Sequence, residues 1–153
     1  MARLTRSLAL LVFLLTTTVP AMAGGPITWS FEQVAAADGR VQVLLKATCE
    51  QGWHIYALTL PRDDGPIPTS VRVNTSTDYR AGAVVEPEPE MAYDPNFGMD
   101  LRFHVNTTVF VLPVERLAKG ALTVSGEVEY MACNDKTCLP PVAVPFSVNV
   151  PAP

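Results

Sequence analysis

Between residues 41 and 49 the chain alternates. Val41, Val43, Leu45, Ala47 and Cys49 occupy one phase, and Gln42, Lys46, Thr48 and Glu50 the other, with Leu44 as the exception. A period of two is what a sheet with one dry face and one wet face requires. Similar runs predict strands over Thr28–Val34, Trp53–Leu58, Ser70–Asn74, Leu101–Val105, Thr108–Val114, Leu122–Tyr130 and Val142–Val150. Turn residues separate them: Asp38-Gly39, Gln51-Gly52, Asp63-Asp64-Gly65-Pro66 and Lys119-Gly120. No window of about a dozen residues carries a 3.6-residue period. The 14 prolines also count against long helices. Eight short strands without internal repeats predict an all-β, antiparallel sandwich of immunoglobulin-like type, with a barrel as the second choice.

Two stretches break the strand pattern. Glu86-Pro87-Glu88-Pro89-Glu90 cannot pair as a central strand, because two prolines remove donors and three carboxylates repel. It leads into Met91-Ala92-Tyr93-Asp94-Pro95-Asn96-Phe97-Gly98-Met99-Asp100, read as a loop with an apolar tip. Its aromatics either fold back on the sandwich edge or cover something reactive.

The first 23 residues change the picture of the whole. Arg3 and Arg6 precede an apolar run from Leu8 to Leu15, and Ala21-Met22-Ala23 forms a small-residue cleavage site. This is the pattern of a secretory signal peptide cleaved after Ala23, too short to span a bilayer. Removing it from the 153 residues leaves a 130-residue domain, 24–153, and moves the formal charge from −4 to −6. So acidic a domain fits neither nucleic acid nor anionic lipid. No later segment is long and apolar enough to cross a membrane, so a soluble, exported monomer is expected, without cofactor.

The chemistry lies with the cysteines. Cys133 and Cys138 flank Asn134-Asp135-Lys136-Thr137, a spacer of hairpin-loop size, with Pro140-Pro141 ending the ladder beyond. Residues opposed across a hairpin have Cβ atoms about 4.5–5.5 Å apart, and a disulfide needs about 3.5–4.5 Å, so only a small adjustment is required. Closing so short a loop removes only about 2 kcal/mol of unfolded-chain entropy. A domain with its own core hardly needs that staple. Thiol–disulfide exchange is therefore the leading reading, ahead of a structural hairpin disulfide and of a metal site. Lys136 favours a thiolate, Asp135 opposes it, and no helix N-terminus lowers the thiol pKa. Cys49, on the apolar phase of its strand, reads as a buried inert thiol.

Rival classes are a copper module built on Cys49, Cys133, Cys138, His54, Met91, Met99 and Met131, and a non-catalytic interaction domain with a structural hairpin disulfide. Only two histidines and no clustered methionine motif support the first. No nucleophile elbow, phosphate loop or metalloprotease motif points to hydrolysis.

The stretch from Glu129 to Pro141, with Tyr130, Cys133, Cys138 and Pro140-Pro141, resembles the N-terminal periplasmic domain of the thiol:disulfide interchange protein DsbD. So do Gln51-Gly52-Trp53-His54-Ile55-Tyr56 and Tyr93-Asp94-Pro95-Asn96-Phe97-Gly98. The resemblance implies an immunoglobulin-like fold and a periplasmic protein-disulfide reductase component. It would take electrons from a thioredoxin-like donor fed by a membrane reductase, for a disulfide isomerase or a cytochrome c maturation protein. It further implies that Cys138 forms the mixed disulfides and Cys133 resolves them. A cap ring matches Phe97 best and Tyr93 second, while Asp94, Tyr56 and Tyr130 line the site and His54 is a neighbour only. The spacer here has four residues where some family members have five. The 153 residues include neither a membrane-embedded segment nor a thioredoxin-like domain, so the electrons are expected to come from a separate polypeptide.

Overall fold

A computed structural model describes residues 25–35 and 40–153. The leader, its cleavage site and the Asp38-Gly39 turn lie outside the described residues. The expected all-β, immunoglobulin-like antiparallel sandwich is what the chain forms, with no helix among the described residues.

The first sheet is built from β1 (Ile27–Ala35), β2 (Val41–Cys49), β8 (Thr107–Arg116) and the short edge strand β5 (Tyr79–Ala81). The alternating run behaves as its pattern demands: Val41, Val43, Leu45, Ala47 and Cys49 are all buried. They meet Phe110, Leu112 and Val114 across the β2–β8 ladder. A second sheet of β11 (Val142–Val150), β9 (Leu122–Tyr130) and β4 (Ser70–Val73) closes over them with Val124, Val128, Phe146, Val148 and Val150. Gly126 sits where β4 and the Phe146 ring come closest. A Cβ there would overlap the Arg72 carbonyl and that ring.

The third sheet carries the cysteines. It orders β10 (Ala132–Cys133), β3 (His54–Tyr56), β7 (Met99–Val105) and β6 (Glu90–Asp94). Ile55 and Ala132 point from one face into the main core, where His104 sets its ring edge-on to Phe110 at 5.3 Å. Tyr56, Leu101 and Cys133 form a second, small core on the other face, with Phe97, Met99, Met131 and Cys138 packed around it.

Two strands lie where the sequence pattern predicts none, β5 and β6, while β10 is the first arm of the hairpin expected around the cysteines. The stretch read as a loop from Met91 to Asp100 is a hairpin, β6–β7, with its turn at Pro95–Gly98. Pro87 and Pro89 are excluded from a central strand, as expected, but β6 begins just after them at a sheet edge, where one flank needs no partner. Its residues are exposed almost throughout, so no alternation marked it. The predicted Trp53–Leu58 strand shortens to three residues, and β7 and β8 extend beyond their predicted ends. Glu86, at the head of the acidic run, turns inward: its Oε2 accepts the Leu58 backbone N–H at 2.8 Å and lies 2.9 Å from His104 Nε2.

Candidate functional site: a hairpin disulfide beneath a second hairpin

β10 ends at Cys133, and the loop beyond it is organised by one side chain. Asn134 Oδ1 accepts the backbone N–H groups of Lys136 and Thr137, both at 2.9 Å. Its own N–H donates to the Thr137 carbonyl, and Leu139 N–H returns to Ala132. This is the Asx-type turn that asparagine forms readily at the head of a tight loop. It brings Cys133 opposite Cys138, with Cα atoms 4.1 Å apart and the sulfurs bonded at 2.03 Å.

The two sulfurs differ in access. Cys133 is fully buried in the small core, and Cys138 is half-buried at its margin. An incoming thiolate therefore has one sulfur to reach.

Tyr56 forms the floor. It is fully buried, its backbone carbonyl accepts the Thr69 hydroxyl at 2.5 Å, and its own hydroxyl donates to Asp94 Oδ2 at 2.6 Å. Burial first, then the bond to Asp94 and its charge, raise the phenol's pKa well above its ordinary value. The phenol stays a donor at any physiological pH.

Asp94 ends β6 and starts the turn. Its Oδ1 accepts Asn96 N–H and its carbonyl accepts Gly98 N–H, both at 2.8 Å. Gly98 closes that turn with φ of 66°, a conformation that glycine adopts without a Cβ penalty. The turn thrusts Phe97 over the small core, where its ring stands edge-on to Tyr56 at 6.0 Å. Asn96 Nδ2 donates to the Asn134 carbonyl at 2.8 Å, joining the tip of one hairpin to the other.

His54 faces Cys133 directly across the β10–β3 ladder. Its ring lies 5.2 Å from Tyr56 and 4.9 Å from Phe103. The Nε2 atom is buried without a hydrogen-bond partner, 3.7 Å from Asp94 Oδ2. Burial lowers the imidazole pKa below its ordinary 6.5, against the opposing charges of Asp94 and Asp135. A groove of about 260 Å³ opens beside it, lined by Trp53, His54, Tyr93, Asp94, Phe103 and Asp135.

Of the remaining predicted neighbours, Tyr93 is 64% exposed and lines that groove together with His54, Asp94 and Asp135. Tyr130 is buried in the main core, its ring 5.6 Å from Trp29. Asn96 and Asn134 escaped sequence reading. An asparagine heading a four-residue hairpin loop was the legible signal for one; nothing local marks the other. Among the described residues, no three His, Cys, Asp or Glu side chains gather to hold a metal. No helix among them is long and apolar enough to cross a membrane.

The fold and the site together define an immunoglobulin-like β-sandwich that carries a short-loop disulfide on a hairpin. The chain belongs to the family described as thiol:disulfide interchange protein DsbD, N-terminal, whose pattern matches residues 28–149. Solved structures share the fold. The DsbD N-terminal domain of Neisseria meningitidis in its reduced form is 15% identical with a TM-score of 0.56, covering 81% of this chain and 86% of that one. The N-terminal periplasmic domain of ScsB from Proteus mirabilis is 16% identical with a TM-score of 0.53, covering 83% of this chain and 47% of that one. A third match comes from the complex between the DsbD and PilB N-terminal domains of Neisseria meningitidis. It is 16% identical with a TM-score of 0.54, covering 78% of this chain and 80% of the other. No curated protein matches the sequence.

Proposed function

We propose that the protein is a periplasmic thiol–disulfide exchange module that relays reducing equivalents through Cys133 and Cys138. One observation carries the reading: the bonded pair is split between a buried sulfur and a reachable one, and the buried one shares its small core with the Phe97 ring. A staple gains nothing from that asymmetry. An exchanging pair needs it, because it decides which sulfur meets the partner.

Reduction begins when a donor thiolate attacks Cys138 Sγ. The S–S bond breaks toward Cys133, whose thiolate takes the electron pair and then a proton. The donor's second thiol displaces Cys138 and leaves as a disulfide, so the pair gains two electrons and two protons. In the outgoing half, the Cys138 thiolate attacks an acceptor disulfide and Cys133 then attacks Cys138 Sγ, releasing the reduced acceptor. Phe97 covers the pair between encounters, and Tyr56 with Asp94 holds the turn that places it.

The donor is proposed to be a thioredoxin-like domain and the acceptor a periplasmic disulfide isomerase or cytochrome c maturation protein. A related DsbD domain has been solved in complex with a PilB N-terminal domain, which supports a protein partner for this domain. The leader-like residues 1–23 and the periplasmic ScsB relative support the compartment. The test is partner trapping in the native envelope with Cys133→Ser, which leaves Cys138 as the attacking thiol. Covalent, reductant-sensitive adducts are expected. A pair that resists gentle dithiol in the folded protein overturns the reading.

A further inference from the structure

The resolving half of the exchange raises a problem of protons. Cys133 is 0% exposed in the bonded pair, and a proton on its sulfur in that setting has no direct path to bulk water. Only the thiolate attacks a disulfide. A group inside the site must therefore take that proton, and Tyr56 is unsuited because its hydroxyl is already committed as a donor to Asp94.

His54 meets the requirement. It is the register partner of Cys133 on the neighbouring strand. Tyr56, two residues on and so on the same sheet face, packs with Cys133 in the small core. Side chains opposed in this way have Cβ atoms about 4.5–5.5 Å apart. The ring is buried, and its Nε2 has no hydrogen-bond partner although Asp94 Oδ2 stands 3.7 Å away. A buried nitrogen held only by a 3.7 Å approach to a carboxylate is poorly satisfied, so its retention calls for a reason.

We propose that His54 is the proton acceptor for Cys133 in the resolving step, an inference that rests on the exchange reading above. In the mixed disulfide, the Cys133 S–H proton passes to the neutral imidazole. The thiolate so formed attacks Cys138 Sγ, the bond from Cys138 to the partner sulfur breaks, and the partner leaves as a thiolate. The imidazolium then returns its proton to that leaving group or to water through the groove beside it. Charge is conserved within the site, and two electrons move from the cysteine pair to the partner.

The surroundings suit a transient imidazolium. Asp94 on β6 and Asp135 in the cysteine loop face the ring with negative charge, and Tyr56 on β3 contributes a neutral phenol. Cys133 on β10 is the proton source, and β7 sets the apolar Phe103 and Val105 against the ring. At rest, burial keeps the ring neutral and able to accept; when a proton arrives, the two carboxylates stabilise it.

Reduced protein mixed with oxidised glutathione separates the steps, since Cys138 first forms a glutathione adduct and Cys133 then releases the second glutathione. The His54→Gln variant is expected to form the adduct at an unchanged rate and to resolve it about 100-fold more slowly near pH 7. Its resolving rate should rise tenfold per pH unit, as a bare thiol's does, where the unaltered protein levels off above the imidazole's titration. Added imidazole should restore resolution in His54→Gly through the groove. Equal resolving rates and pH profiles in His54→Gln and the unaltered protein overturn the proposal. Should the variants fail to fold, NMR titration of the His54 ring in the unaltered protein decides: its pKa must differ between oxidised and reduced states, and an identical value overturns the proposal. A protein that forms no glutathione adduct at all sinks the exchange reading itself, a distinct result.

Discussion

The side-chain amide of Asn96 donates to the backbone carbonyl of Asn134 at 2.8 Å, so the turn that carries Phe97 is tied to the loop that carries both cysteines. The two residues lie 38 positions apart and belong to hairpins at opposite edges of the four-stranded sheet β10-β3-β7-β6. A single hydrogen bond of this kind contributes only about 1 kcal/mol. On the covering role proposed above for Phe97, that holds the closed turn in the majority state and yields to a docking partner.

Two substitutions separate the tether from the cover. Phe97→Ala removes the ring over the small core and should speed oxidation of the reduced pair by hydrogen peroxide about tenfold, with the melting temperature little changed. Asn96→Ala keeps the ring and frees the turn. About 1 kcal/mol of closing energy is a factor of about five in the open fraction, so oxidation should quicken by roughly that much. Oxidation time courses at matched pH read both effects, and unchanged rates in both variants would exclude a lid.

The Tyr56–Asp94 bond makes a different demand. Tyr56→Phe preserves the packed ring and deletes the hydroxyl, leaving Asp94 Oδ2 buried without its 2.6 Å donor. Asp94 keeps the Asn96 N–H on its other oxygen, so the turn survives while the carboxylate is under-satisfied. A loss of about 1–3 kcal/mol is expected in denaturant unfolding of the oxidised protein. Asp94→Asn should be milder, because the amide oxygen keeps the Asn96 N–H while its NH2 donates to the phenol oxygen, which turns from donor to acceptor as the charge is lost.

How much of this was legible depends on distance along the chain. β2, β9 and β11 declared themselves because each buries one face along nine residues, and a period of two shows only over such lengths. β5, β6 and β10 have three, five and two residues, too few for a period, and β5, β6 and β10 all lie at sheet edges. The cysteine hairpin was readable because its parts are five residues apart. Tyr56, Asp94 and Phe97 came from family resemblance, since no local pattern links β3 to a turn about 40 residues later. The place of Glu86 was hidden for the same reason: in sequence it belongs to an acidic, proline-rich run, and only the fold sets it against Leu58 and His104.

The buried imidazole of His54 gives the oxidised protein a pH dependence of known sign. Its folded pKa lies below the unfolded value near 6.5, chiefly through burial. Below about 6.5 the unfolded chain therefore binds the proton that the folded one resists, and stability falls as pH drops. The contribution is complete above 6.5 and is lost as pH falls through the folded value. Urea unfolding between pH 5 and 7 should show this slope, and His54→Phe should flatten it.

Cys49 supplies a control for every thiol experiment above. Burial pushes its pKa up to about 11 from an ordinary 9, and its sulfur points at the His104 carbonyl, 3.8 Å away. At pH 8 an unshifted thiol is about one-tenth thiolate, and this one about one-thousandth, before its lack of access is counted. Iodoacetamide should leave Cys49 unmodified in the folded protein while it labels the reduced Cys138, and should label Cys49 at once in urea. The same shift sets an alkaline limit. The folded thiol keeps a proton that the unfolded chain releases above pH 9, so this share of stability is full below 9 and gone above 11. Cys49→Ala should remove that alkaline slope and leave glutathione exchange at Cys138 untouched; a change in exchange would mean that the third cysteine takes part after all.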